Sequence, residues 1–136
     1  MALSIPSQLK PSKNIKILVV DDDMPVASLF KTEFEKLGYE ASVATNGNEA
    51  LTLAKNLKPK LILLDLIMPK LGGREFLEKL RAEKSIFSTP VMIVSHLESN
   101  YEQKKCEELG ISCYIVKHKS SVQNIINKAR LILEKT

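Results

Sequence analysis

The chain has 136 residues, 44% of them hydrophobic and 26% charged, with a formal net charge of +4. That is enough chain to bury one core without disulfides or metals, and the balance is that of an ordinary soluble globular domain. A positive balance permits contact with nucleic acid or anionic membranes. Here Glu33, Glu35, Glu75, Glu78, Glu83, Glu107 and Glu108 interrupt the basic stretches, so the charges read as a solvated surface. Cys106 and Cys113 form neither a CxxC pair nor a metal-ligand cluster and are expected to be two buried free thiols of a reducing cytosol. Met1 to Asn14 lacks the apolar segment of a signal peptide, and the run Leu61 to Met68 is too short to span a membrane and contains Asp65. A cytoplasmic location is the expectation.

Residues 1–14, with Ser4, Pro6, Ser7, Pro11 and Ser12, carry little periodicity and are expected to be a flexible tail ahead of one domain over 15–136. Ile15 to Val20 is β-branched and almost continuously apolar, as a strand covered on both faces should be. Asp21-Asp22-Asp23 ends it. A helix is predicted from about Pro25, with Val26, Leu29, Phe30, Phe34 and Leu37 at helical spacing and Gly38 as its stop. Tyr39 to Ala44 reads as a second strand. Asn46-Gly47-Asn48 turns the chain into a helix with Ala50, Leu51, Leu53, Ala54 and Leu57, closed by Pro59.

Leu61 to Leu64 is predicted as a third strand running straight into Asp65. Pro69 and Gly72-Gly73 form a loop before a helix carrying Phe76, Leu77 and Leu80. Pro90 precedes a fourth strand, Val91 to Val94, ending at Ser95. A helix from about Ser99 to Leu109 stops at Gly110. Cys113 to Val116 is the fifth strand, ending at Lys117, and the last helix runs from about Ser121 to Glu134. Strands that alternate with helices argue for an α/β fold, a five-stranded parallel sheet with helices on both faces. In such sheets ligands sit beyond the carboxyl ends of the strands, where the strand order reverses.

The polar residues fall at those ends: Asp21 and Asp22 after the first strand, Asp65 after the third, Ser95 after the fourth and Lys117 after the fifth. Three carboxylates in one cleft repel, and a divalent cation relieves this. An all-oxygen site with room for water suits Mg2+. One carboxylate is then free to attack phosphorus, while the cation, the ammonium and the hydroxyl stabilise the phosphoryl oxygens. Each residue also has a plainer reading. An Asp after a strand is often a helix N-cap, which suits Asp23. Ser95 alone is a strand-end hydroxyl, and Lys70, Arg74, Lys79 and Arg81 are most simply surface.

The strings ILVVDDD, LILLDLIMP, PVMIVS and CYIVK, in this order and spacing, resemble the receiver domains of two-component response regulators, the chemotaxis receiver among them, over about residues 15–135. The resemblance implies a flavodoxin-like doubly wound sheet of order 2-1-3-4-5. It implies that Asp65 is the phosphoacceptor, forming an aspartyl phosphate. Asp22 would ligate Mg2+ directly with Asp65, Asp21 would act partly through water, and the backbone carbonyl of Ile67 would complete the protein's ligands. Lys117 and Ser95 would assist the chemistry, and Ser95 with Tyr114 would form the switch pair. The donor implied is a phosphohistidine of a sensor histidine kinase or a histidine phosphotransfer protein. Such a domain catalyses only its own phosphorylation and dephosphorylation. Its output would be a change in binding to a protein partner not named by the sequence, with no nucleic acid or membrane contact by the domain itself, as a monomer or weak dimer.

Three positions depart from the family. The residue after the switch hydroxyl is usually small but here is His96, whose bulk is expected to narrow access to Asp65. The residue after the lysine is usually proline in a cis bond but here is His118, so the loop is either trans and rearranged or cis and strained. Ile67, two residues beyond Asp65, is apolar where side chains influence water attack, and is expected to exclude water and prolong the phosphoryl group's life. The competing class is a pseudo-receiver, an interaction module that keeps the fold and is never phosphorylated. A flavin-binding or phosphatase relative lacks support, because no Gly/Ser/Thr-rich phosphate loop follows the first strand and no DxD nucleophile motif is present. The sequence shows no output domain, and the expectation is either a free-standing receiver or a piece of a longer regulator or hybrid kinase.

Overall fold

The structure, a computed structural model, describes residues 15–135; the expected tail over 1–14 lies outside the described residues. Five strands alternate with five helices: β1 (Lys16–Val20), α1 (Met24–Lys36), β2 (Glu40–Ala44), α2 (Gly47–Leu57), β3 (Leu61–Leu64), α3 (Gly73–Ala82), β4 (Val91–Ser95), α4 (Asn100–Glu108), β5 (Cys113–Val116) and α5 (Val122–Glu134). The sheet order is β2-β1-β3-β4-β5 and every pairing is parallel, as expected from the sequence.

Period-two alternation along the strands divides the core into two layers. Leu18, Val20, Ile62, Leu64, Val91 and Ile93 face one side of the sheet and pack with Ala50, Ala54, Phe76, Leu77, Leu80 and Cys106 of α2, α3 and α4. Ile17, Val19, Leu61, Leu63, Met92 and Val94 face the other and pack with Phe30 and Phe34 of α1 and Ile125, Ile126 and Ala129 of α5. Both faces are covered, which is why the central strands β1, β3 and β4 are almost continuously apolar instead of alternating.

Short polar side chains start the helices. Asp23, Asn46, Ser99 and Ser121 accept hydrogen bonds from the backbone N–H groups of Val26, Glu49, Glu102 and Asn124. Asp23 is thus an N-cap, as its position suggested. Gly38 and Gly110, just past α1 and α4, take φ of 93° and 79°, the left-handed conformation that ends helices at little cost to glycine. Gly73 serves a different need. A Cβ built there would strike the Asp65 carbonyl oxygen and come within 2.6 Å of Leu66 Cα, so only glycine lets α3 start against the chain that carries Asp65.

Two sequence expectations need correction. Arg81 is not simply surface. Its guanidinium donates to the carbonyls of Leu109 (2.7 Å), Thr89 (2.7 Å), Phe87 (3.0 Å) and Gly110 (3.0 Å), tying α3 to the segment before β4 and the turn after α4. Burial pulls its pKa below the usual arginine value. Nothing local in sequence marks it, because its partners lie up to 29 positions away. The thiols also differ. Cys106 is buried, but Cys113, on the edge strand, is only partly so. Burial pushes the Cys106 thiol up to about 11.

Candidate phosphoryl-accepting site

β1 and β3 are neighbours, and the chain leaves them toward opposite edges of the sheet, so their carboxyl ends flank the switch point. The register sets Val20 beside Leu64, which brings Asp21 and Asp65 out side by side. The backbone secures this: Asp65 N–H donates to the Val20 carbonyl at 2.9 Å and Asp21 N–H to the Ala44 carbonyl at 3.0 Å. Asp21, Asp22 and Asp65 each present a carboxylate oxygen, and these lie within 4.8 Å of one another.

The three acids are not equivalent. Asp21 is buried with both oxygens engaged: Oδ1 accepts from Asp23 N–H at 2.9 Å and Oδ2 from Lys117 Nζ at 2.6 Å. Asp65 is buried too. Its Oδ1 accepts from the Ser95 hydroxyl at 2.6 Å and from Ile67 N–H at 3.3 Å, while Oδ2 lies 3.6 Å from Lys117 Nζ. Asp22 is exposed. Ser95 is fully buried at the end of β4, and Lys117 reaches in from the end of β5.

Burial raises the Asp21 pKa, and the charge of Asp65 adds to this; the Lys117 hydrogen bond and the Asp23 N–H oppose it without cancelling it. For Lys117, burial acts to lower the pKa, but the hydrogen bond to Asp21 and the charges of both aspartates outweigh it, and the ammonium is held above its ordinary value. Three carboxylates and one ammonium leave a formal charge of −2 in the cleft. A hard divalent cation matches that deficit and the all-oxygen donor set. The residues present therefore fit Mg2+.

The family model of the response regulator receiver domain matches residues 17–130. The chain belongs to this family. The alkaline phosphatase synthesis transcriptional regulatory protein PhoP of Bacillus subtilis is 38% identical over 104 residues, 76% of this chain and 42% of that protein. The DNA-binding dual master transcriptional regulator RpaA of Synechocystis is 29% identical over 121 residues, 89% of this chain and 50% of that protein. This receiver thus spans half or less of the length of these curated relatives. Among solved structures, the Francisella response regulator 1452 receiver domain is 34% identical with a TM-score of 0.78, covering 88% of this chain and 97% of that one. A CheY-like receiver from Methanospirillum hungatei is 28% identical with a TM-score of 0.81, covering 88% and 94%.

Around the receiver's acidic cleft the other expected residues are placed as follows. The Tyr114 hydroxyl donates to the Leu97 carbonyl at 2.6 Å, and burial pushes its pKa up to about 12. The ring packs against the core layer that contains Cys106 and Leu80. Leu97 N–H in turn donates to Ser95 Oγ at 3.3 Å, so Tyr114 and Ser95 are linked through one residue of the loop after β4. Ile67 is 57% exposed, its backbone N–H on Asp65 and its side chain open to solvent.

His96 and His118 are both exposed, and their rings meet nearly end to end through their Nδ1 atoms, with almost parallel planes. The bond before His118 is trans, as no cis peptide occurs among the described residues, and Lys117–Lys119 forms a 3-10 turn instead. Of the two peptide conformations left open by the sequence, the trans one is adopted, and Lys117 meets both aspartates. Among the described residues no helix is long and apolar enough to cross a membrane.

Proposed function

We propose that this receiver is a phosphoacceptor switch in a two-component phosphorelay, with Asp65 accepting a phosphoryl group from a phosphohistidine donor in a magnesium-dependent reaction. The observation that carries the proposal is the environment of Asp65: one oxygen held by Ser95 and Ile67 N–H, the other facing Lys117, with Asp21 and Asp22 alongside.

In the transfer, an Asp65 carboxylate oxygen attacks the donor's phosphorus, an O–P bond forms and the P–N bond breaks. The departing imidazole keeps the electron pair and takes a proton from water. Asp22 and Asp65 would hold Mg2+ directly with the Ile67 carbonyl, and Asp21, whose oxygens are already engaged, would hold it through water. When bound, the ion supplies positive charge against the phosphoryl oxygens. Lys117 supplies the charge this chain contributes itself, and the Ser95 hydroxyl can transfer its hydrogen bond from Asp65 to a phosphoryl oxygen.

That transfer gives the signal a route outward. Ser95 is joined through Leu97 to Tyr114, and a recess of about 190 Å3 bordered by Ser99, Gln103 and Val116 lies beside the ring. A shift of the hydroxyl toward a phosphoryl group biases the loop after β4 and the Tyr114 rotamer, altering the surface offered to a protein partner. Incubation with acetyl phosphate and Mg2+ tests the reading: a covalent phosphoryl adduct on the wild type, absent in Asp65→Asn, is expected. Failure of the wild type to accept phosphate or to bind beryllofluoride would favour the pseudo-receiver.

A further inference from the structure

The rim beside the acidic cleft carries two imidazoles that the proposed phosphoryl chemistry does not use. His96 follows β4 and His118 sits in the 3-10 turn after β5. Parallel pairing sets Ser95 opposite Val116, so both histidines leave the sheet on the same rim. Their Nδ1 atoms lie 3.1 Å apart, with 16° between the ring planes and 5.3 Å between centroids. On its far side, His118 Nε2 lies 3.1 Å from Glu98 Oε1, and the other oxygen of Glu98 lies 2.6 Å from Lys119 Nζ.

The carboxylate favours one tautomer of His118. Glu98 accepts only, so it favours the proton on His118 Nε2, and His118 Nδ1 then turns a lone pair toward His96. Two imidazole nitrogens about 3 Å apart match adjacent ligands of one ion at the usual metal–nitrogen distance of about 2.0–2.1 Å. A carboxylate on the remote nitrogen is the outer partner that metal-bound histidines characteristically use. We propose that His96 and His118 form a two-nitrogen site for a borderline cation of the zinc class, with Glu98 orienting His118 and water completing the coordination. This site differs in kind from the acidic cleft, because imidazoles select zinc, copper or nickel where carboxylates and water select magnesium.

An ion held there joins the loop after β4, which carries Ser95, to the turn after β5, which carries Lys117. Ser95 donates to one oxygen of Asp65, and Lys117 lies 3.6 Å from the other. The site is therefore placed to stiffen the phosphoryl pocket without entering it.

Zinc titrated calorimetrically into the full chain, with Mg2+ in excess to occupy the acidic cleft, tests the proposal. One equivalent should bind the wild type. Affinity should fall at least tenfold in His96→Ala and in His118→Ala, and by about tenfold in Glu98→Gln. It should be unchanged in Asp65→Asn, which separates this outcome from any failure of the phosphoacceptor reading. Copper(II) bound to the wild type should show the hyperfine signature of two imidazole nitrogens, a readout that needs no variant. Absence of zinc uptake, uptake that survives both histidine substitutions, uptake lost in Asp65→Asn, or a sulfur-type copper spectrum pointing to Cys113 would each overturn it and leave the histidines as a hydrogen-bonded pair.

Discussion

Ser95 Oγ donates to Asp65 Oδ1 at 2.6 Å, although 30 positions separate the two residues. The hydroxyl is fully buried, and its own oxygen accepts from Leu97 N–H, so both of its hydrogen-bonding roles are filled before any phosphoryl group arrives. On the proposed function, binding of a phosphoryl oxygen by this hydroxyl would take an exchange of partners at Ser95. The exchange trades one anionic acceptor for another, so the bond lost offsets most of the bond gained and a difference of about 0.5–1.5 kcal/mol is at stake. Ser95→Ala should accordingly slow phosphorylation by acetyl phosphate by about 2- to 10-fold without abolishing it. Loss of all transfer would show that the hydroxyl does more than hydrogen-bond.

Lys117 is the counter-charge to Asp21 and Asp65. Its pKa is raised in the folded state, so its contribution is complete below its unfolded pKa and is lost as pH rises through the folded value. Asp21 is also raised, so folding favours its protonated form, and its contribution disappears as pH rises through its folded pKa. In Lys117→Met the aspartate loses the partner that opposes this rise. In metal-free buffer the variant should be less stable than wild type at neutral pH by roughly 3 kcal/mol. Acidification should narrow the gap. Urea denaturation across the pH range reads this directly, and a gap that widens on acidification would contradict it.

Gly73→Ala should destabilise despite placing a better helix former in α3. In an open helix the change gains about 1 kcal/mol. Here the added methyl meets the backbone of Asp65 and Leu66, which cannot give way without moving the carboxylate. Thermal unfolding should show a lower midpoint, and the acetyl phosphate reaction should slow with it. An unchanged midpoint would mean that the start of α3 shifts freely.

Arg81→Ala removes the donor to four backbone carbonyls and should cost about 2–3 kcal/mol. Lysine restores the charge but not the forked geometry, so Arg81→Lys should recover only part of the loss. Arg81 is remote from Asp65 in role, and phosphorylation by acetyl phosphate at low temperature should be retained in both variants.

Ile67 is exposed with its N–H bound to Asp65, which places an apolar side chain at the mouth of the cleft. Ile67→Asn, able to orient water, should shorten the life of the aspartyl phosphate several-fold. His96→Ala should shorten it as well if the imidazole limits access. Decay of isolated phosphoprotein after removal of the donor measures both; equal lifetimes in wild type and variants would end the idea.

The strands and the helices were legible because both rest on local signals, whereas the order of the sheet followed from the family resemblance. Apolar β-branched runs, Gly38 and Gly110 at helix ends, and the caps at Asp23, Asn46, Ser99 and Ser121 act within a few residues of themselves. Asp21, Asp22, Asp65, Ser95 and Lys117 could be placed together because each follows a strand and parallel strands end on one rim. The tertiary structure alone decided how they divide the work: Lys117 on Asp21, Ser95 on Asp65, Asp22 left open. It also decided the part played by Arg81, the need for glycine at 73 and the pairing of His96 with His118. Each of these depends on distances between segments remote in sequence, and such distances are set by register and packing, which no local pattern of residues encodes.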